Sequence, residues 1–105
     1  MIIKIGRARG NDVVVDNPTV SRQHAELEVE DGQIVLKDLG SASGTYVMDK
    51  AGELERTTYM VVSENSTIAV GSEQLYVKDV IDRMAKESRQ TRYERNPLTG
   101  EIVKK

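Results

Sequence analysis

Two arginines, a group of serine hydroxyls and a lone histidine are the residues of this chain best equipped for chemistry. They fall in four short blocks: Ile5-Gly6-Arg7, Asn11-Asp12-Val13-Val14-Val15, Val20-Ser21-Arg22-Gln23-His24-Ala25, and Asp38-Leu39-Gly40-Ser41-Ala42-Ser43-Gly44-Thr45-Tyr46-Val47. Arginine with a serine hydroxyl and spare backbone N–H groups is what a phosphate dianion needs. The guanidinium gives charge-assisted, often bidentate bonds, and the other donors fill the remaining oxygen lone pairs. The same residues also have an ordinary reading. Arg7 and Arg22 are then solvated surface charges, Ser21 a turn residue and His24 a buried structural histidine. Residue chemistry alone leaves both open.

Other chemistries find less support. With one His and no Cys, the chain has no thiol nucleophile, disulfide or zinc–thiolate set. Ser21 and His24 stand three apart at the start of a strand, but no G-x-S-x-G elbow, third orienting group or P-loop lysine accompanies them. Asp12, Asp16 and Asp38 are scattered, and a single histidine is not a metal cluster. The expectation is a binding protein with no catalytic residue, metal or cofactor.

The blocks must be positioned by strands. Val and Ile number 20 against 6 Leu, a bias toward extended structure. With no Phe or Trp and 4 Tyr, the core is aliphatic and thin, and 38% hydrophobic residues suit a small sandwich rather than a deep cofactor cavity. Apolar alternations predict strands at Ile2–Ile5, Asp12–Val15, His24–Glu30, Gln33–Asp38, Thr45–Met48, Leu54–Val62, Ser66–Val70 and Gln74–Lys78. The period of two is cleanest over Ala25–Glu30, and Asp31-Gly32 after it is a strong hairpin signal. A helix is expected over Asp79–Gln90, with Val80, Ile81 and Met84 on one face. Tyr93–Val103 then reads as a hairpin turning at Asn96-Pro97-Leu98-Thr99-Gly100. The fold class is therefore all-β: an antiparallel sandwich with a short C-terminal helix and a tail hairpin. Loops gathered at one end of it would bring the arginines and serines together.

Charge divides the chain. Residues 1–81 carry 8 basic and 13 acidic side chains, a net of −5, whereas residues 82–105 carry 7 and 4, a net of +3. This sets a sandwich at 1–81 apart from a basic tail at 82–105. No run of apolar residues is long enough to span a bilayer, and Met1-Ile2-Ile3-Lys4 is too soon charged for a signal peptide. A cytoplasmic protein without membrane contact is expected.

In their order and spacing, Gly6-Arg7, Ser21-Arg22-x-His24 and Ser41-x-x-Gly44-Thr45 resemble the signature of the forkhead-associated (FHA) domain, a phosphothreonine-peptide-binding β-sandwich. The likeness continues into Ile68-Ala69-Val70-Gly71, similar to the family's last hairpin, and covers roughly residues 2–78. It implies an adaptor in Ser/Thr-kinase-linked signalling or assembly whose partner carries phosphothreonine. By the same resemblance Arg7 and Ser21 are phosphate ligands and Arg22 adds a second cation. Ser43 stands where the family commonly has an Asn that holds the bound peptide's backbone. His24 braces the loops from behind, Gly6 permits the turn that aims Arg7, and Gly44 lets the loop before Thr45 turn tightly.

The chain departs from the family pattern in three places. Where Ser-Thr/Ser-Asn-Gly-Thr is usual, it has Ser41-Ala42-Ser43-Gly44-Thr45, which removes one hydroxyl and shortens one carboxamide to a hydroxyl. A lost hydrogen bond to a charged group is worth about 1.5–3 kcal/mol, so the site is expected to be weaker by about tenfold or more. A phosphate-independent scaffold built on the same fold is the alternative. Met48–Gly52 makes a longer turn than the family's Asn-Gly, with no evident functional cost. The strand that usually precedes Ile-Gly-Arg has no room here, and the resulting open edge is expected to be patched by the tail hairpin, in its own chain or by self-association. Thr91 and Thr99 offer candidate phosphorylation sites for such a tethered ligand. Arg95-Asn96-Pro97-x-Thr99-Gly100 resembles the arm tip of HU-type nucleoid proteins, but the net −5 body argues against nucleic acid.

Overall fold

The computed structural model describes residues 1–89, with side chains as far as Ala85, and the backbone of 94–95 and 102–103. In chain order the elements are β1 (Ile2–Gly6), β2 (Val13–Val14), β3 (Ala25–Glu30), β4 (Gln33–Asp38), β5 (Thr45–Met48), β6 (Leu54–Arg56), β7 (Tyr59–Val62), β8 (Thr67–Val70), β9 (Glu73–Tyr76), α1 (Val77–Arg89), β10 (Glu94–Arg95) and β11 (Ile102–Val103). One layer has the order β2-β1-β3-β4-β7 and the other β6-β5-β8-β9. Every pairing in the two layers is antiparallel except β1 with β2, which is parallel, so the sandwich is mainly rather than wholly antiparallel.

Alternation decides which side chains meet between the layers. Ile3 pairs with Leu27 and Leu27 with Leu36 across β1, β3 and β4, and all three are fully buried. Ile68 and Val70 face them from β8. Burying such a side chain is worth about 1.5–3 kcal/mol, which makes this stripe the main adhesive of the fold. On the other face of β3, Glu26 and Glu28 stay partly exposed, and Glu28 accepts a 2.8 Å bond from Lys37 of β4. The turn joining β3 to β4 places both Asp31 (φ 53°) and Gly32 (φ 78°) in the left-handed region, as a tight hairpin turn requires.

The sequence reading differs from the structure at three points. Leu54–Val62 is not one strand: β6 pairs with β5 in one layer and β7 with β4 in the other. The crossing falls at Thr57-Thr58, where the Thr57 hydroxyl bonds the backbone of Tyr59 and the Thr58 carbonyl accepts from the Asp38 N–H at 3.0 Å. Side-chain bonds of this local kind compete with a continuing ladder and bend the chain. Second, the strand expected to run to Lys78 stops at Tyr76 and the helix starts at Val77. Val77 and Val80 are buried in the core, with Ile81 and Met84 packed on it, a helical stripe that docks α1 onto the sandwich. Third, β10 and β11 pair antiparallel as Glu94 with Val103 and Arg95 with Ile102, but as a separate two-stranded sheet that does not extend the edge at β9. The turn at Asn96–Gly100, Thr91 and Thr99 lie outside the described residues. Among the described residues, no helix is long and apolar enough to cross a membrane.

Candidate functional site

Loops 7–12, 16–24 and 39–44 and the turn after β8 meet at one end of the sandwich. Gly6 closes β1 against the second of these. A Cβ on it would lie 2.1 Å from the Arg22 carbonyl oxygen and 2.7 Å from Asn11 Nδ2. No side chain fits there. The sequence reading has Gly6 as a turn residue, yet its φ is not left-handed; what it supplies is room for another backbone. That close approach lets the Arg7 N–H donate to the Ser21 carbonyl at 2.9 Å and the Ala8 N–H to the Arg22 carbonyl at 3.3 Å. Asn11 Nδ2 stitches the two loops again, donating to the Ala8 and Arg22 carbonyls at 2.8 and 2.7 Å.

Arg7 is exposed, and its Nε donates to the Val20 carbonyl at 2.9 Å. One donor thus fixes the guanidinium while the terminal NH2 groups make no bond among the described residues. Ser21 is held from both sides. Its N–H donates to His24 Nδ1 at 3.0 Å, and its Oγ accepts from the Ala42 N–H at 3.2 Å, which leaves the hydroxyl proton to be donated elsewhere. His24 is fully buried. Because Nδ1 accepts, Nε2 carries the proton and donates to the Gly44 carbonyl at 2.8 Å. A neutral imidazole with both nitrogens engaged ties loop 16–24 to loop 39–44. Arg22 is exposed and lends its carbonyl to the stitching described above.

Loop 39–44 is organised around Asp38. Its carboxylate accepts from the N–H groups of Gly40 (2.9 Å) and Ser41 (3.1 Å), from the Ser41 hydroxyl and from the Thr45 hydroxyl (2.7 Å). Burial pushes the Asp38 carboxyl up, but the bonds from Ser41, Thr45 and Gly40 outweigh it and hold the group below the usual carboxylate range. Ser41 Oγ in turn accepts from the Gly44 N–H at 3.0 Å. Gly44 has φ 96°, which favours glycine, and a Cβ there would sit 2.8 Å from Arg56 Nε and 2.9 Å from the Tyr46 hydroxyl, so both side chains would have to shift. The Tyr46 hydroxyl donates to the Ser43 carbonyl at 2.8 Å, and Ser43 itself is half-buried at the rim. The Gly44 carbonyl also accepts from Gly71 N–H at 2.9 Å, and Thr19 Oγ1 accepts from Ser72 N–H at 2.9 Å, which straps the turn after β8 to the site.

Arg7, Ser21 and Arg22 therefore lie on two directly bonded loops, and Ser43 on a third that His24 and Ala42 join to them. Asn11, Asp38 and Arg56 were not assigned roles from sequence. Asp38-x-Gly40-Ser41 carries a local signal, an Asp followed by N–H groups two and three residues on. Arg56 carries none, since it arrives through the pairing of Arg56 with Tyr46 across β5 and β6. Among the described residues, no group of three or more His, Cys, Asp or Glu side chains is placed to hold a metal ion.

The sequence profile of the FHA domain matches residues 3–71. The chain belongs to the forkhead-associated family. The oxoglutarate dehydrogenase inhibitor of Corynebacterium diphtheriae is 36% identical over 70 residues, covering 67% of this chain and 46% of that protein. The glycogen accumulation regulator GarA of Mycolicibacterium smegmatis is 48% identical over 42 residues, 40% of this chain and 27% of GarA. The FHA chain matched here thus spans less than half the length of these relatives. Among solved structures, Mycobacterium tuberculosis EmbR in complex with a low-affinity phosphopeptide aligns with TM-score 0.60 and 29% identity over 70% of this chain and 18% of EmbR. The blocks around Arg7, Ser21 and Gly44 all fall inside the matched FHA segment.

Proposed function

We propose that this FHA domain is a phosphothreonine-peptide-binding adaptor in Ser/Thr-kinase-linked signalling or assembly. Arg7 and Ser21 hold the phosphate, Arg22 adds a second positive charge, and Ser43 faces the peptide backbone. One observation carries the reading. Arg7 and Ser21 are each fixed by bonds that leave their best donors, the terminal guanidinium nitrogens and the hydroxyl proton, unused. Donors held in place but unsatisfied are what a dianion binds with least reorganisation. The negative balance of the sandwich does not oppose this, because charges beyond about 10 Å are screened at physiological salt. The relative seen with a phosphopeptide supports the ligand class, and the relatives named as an inhibitor and a regulator support binding rather than catalysis.

Residues 82–105 form a basic appendage to this adaptor, which acts in the cytoplasm. Titrating a phosphothreonine peptide library into the wild type and Arg7→Ala, with unphosphorylated peptides alongside, tests the reading. Phosphate-dependent binding that disappears in Arg7→Ala is expected. Equal binding of phosphorylated and unphosphorylated peptides would point to the phosphate-independent scaffold.

A further inference from the structure

We propose that Arg56 is the residue by which this site selects among phosphorylated sequences, receiving an acidic side chain close to the phosphothreonine. The inference rests on the phosphothreonine reading above and adds the sequence class of the ligand. Three observations converge on it. The Arg56 guanidinium lies against Gly44, with Nε 2.8 Å and Cζ 3.0 Å from where a Cβ of that glycine would stand. It is therefore adjacent to Ser43 and to the Tyr46 hydroxyl that grips the Ser43 carbonyl. The site's third loop thus has a guanidinium beside it, in addition to the two near Ser21.

The strand that carries it is also firmly held. Arg56 is in register with Tyr46, and the Thr57 N–H donates to the Thr45 carbonyl at 2.8 Å, so the end of β6 is clamped to the strand that follows the loop. Finally, the charge is uncompensated. Arg56 is exposed, and the ion pair found among the described residues is Lys37 with Glu28. Its neighbour Glu55 points to the opposite face of the strand, as the period of two requires. An unpaired guanidinium carried on a clamped strand at the rim of an anion site is matched by a second anionic group on the same ligand. The groups that hold the phosphate and Arg56 are separate, but Gly44 joins them through His24. An extended peptide advances about 3.3 Å per residue, so a residue a few positions from the phosphothreonine reaches along the rim. Aspartate or glutamate there forms a charge-assisted pair with Arg56.

The test is a set of phosphothreonine peptides in which a single Asp is moved through the flanking positions of a neutral sequence, measured against wild type, Arg56→Gln and Arg56→Glu. At one position Asp should tighten wild-type binding by about tenfold over Asn. Arg56→Gln should abolish that preference while keeping phosphate dependence, and Arg56→Glu should reverse it in favour of Lys at the same position. Unchanged melting temperatures identify these as site effects. A wild type that binds phosphopeptides with no acidic preference, or an Arg56→Gln variant that retains one, overturns the proposal and leaves the phosphothreonine reading standing. An equal loss for every phosphopeptide in Arg56→Gln also overturns it, making Arg56 a phosphate ligand instead. Failure of the wild type to bind any phosphopeptide overturns both.

Discussion

The two sides of the site are built in opposite ways. On one side, loops 7–12 and 16–24 are joined through backbone carbonyls and Asn11, so the side chains of Arg7, Ser21 and Arg22 are left to face outward. On the other, loop 39–44 is held by its own side chains. Ser41 and Thr45 are consumed by Asp38, the Gly44 N–H by Ser41, and what remains at the rim is Ala42 and Ser43. The first side carries charge and the second carries shape. The family departures at Ala42 and Ser43 fall on the shape side, which leaves the charge side whole. Phosphate dependence is therefore expected to survive them, with grip on the peptide backbone reduced.

Removing the charge side should have the largest effect. With Arg7 as the proposed phosphate ligand, Arg7→Ala is expected to remove charge-assisted bonds worth about 3 kcal/mol, a loss of about a hundredfold in phosphopeptide affinity. Because Arg7 is exposed and only its Nε is used internally, the melting temperature should hardly move. Titration and thermal melting on the same preparation check both halves of the statement. Ser21→Ala and Arg22→Ala should follow in that order with smaller losses.

Cutting the link between the sides should act on stability first. His24→Ala leaves the Ser21 N–H without its buried partner and the Gly44 carbonyl with only its bond from Gly71, at a cost of about 1–3 kcal/mol in urea denaturation. Any drop in affinity should then track the unfolded fraction and recover at lower temperature. Full stability with lost binding would instead make His24 a direct ligand.

Rebuilding the shape side is a gain-of-function test. Ala42→Thr with Ser43→Asn restores a hydroxyl toward the phosphate and a carboxamide toward the peptide, and should tighten phosphopeptide binding by about tenfold. The Ala42 N–H to Ser21 Oγ bond uses backbone on one side only, so the substitution leaves it in place. No improvement in the double variant would favour the scaffold function over the adaptor.

The same division explains what the sequence disclosed. The β3–β4 hairpin was legible because Ala25–Glu30 alternates strictly and Asp31-Gly32 fixes the turn, both local signals. The gathering of Arg7, Ser21 and His24 was legible because they sit in short ordered blocks whose spacing survives without knowledge of the fold. Arg56 was hidden because nothing adjacent to it marks it, and only the register of β6 on β5 carries it to Gly44. The split of β6 from β7 was hidden for a related reason. Leu54–Val62 has an unbroken strand-like composition, and the change of layer at Thr57-Thr58 comes from side-chain bonds and from competition between two sheets for the same segment. Asn11 was read as part of a block without a role, since the Ala8 and Arg22 carbonyls that its Nδ2 bonds come together only when Gly6 meets the Arg22 carbonyl.

The smallest expected effect separates the two sides by pH. Asp38 is held below the usual carboxylate range by the bonds it accepts, against the opposing effect of burial. Between its folded and its ordinary value the folded chain binds fewer protons than the unfolded chain, so stability rises with pH there. The contribution is fully present above the ordinary carboxylate value and is lost as pH drops through the lower folded one. Glu28 is also lowered, by the hydrogen bond and charge of Lys37, and it contributes in the same direction in any variant that retains the pair. Asp38→Asn keeps the size of the side chain but turns one acceptor oxygen into an NH2 donor, which loses the bonds that oxygen accepts, and removes the charge, so stability at neutral pH is lowered. Its stability should then fall less steeply in acid than that of the parent, with the Glu28 part remaining. In the parent, the amide resonances of Gly40 and Ser41 should move together with a midpoint below the ordinary Asp value, while those of Arg7 and Ala8, bonded to carbonyls within the charge side, should not share it. A common transition on both sides would mean that the loops titrate as one unit, and the distinction between a charge side and a shape side would fail.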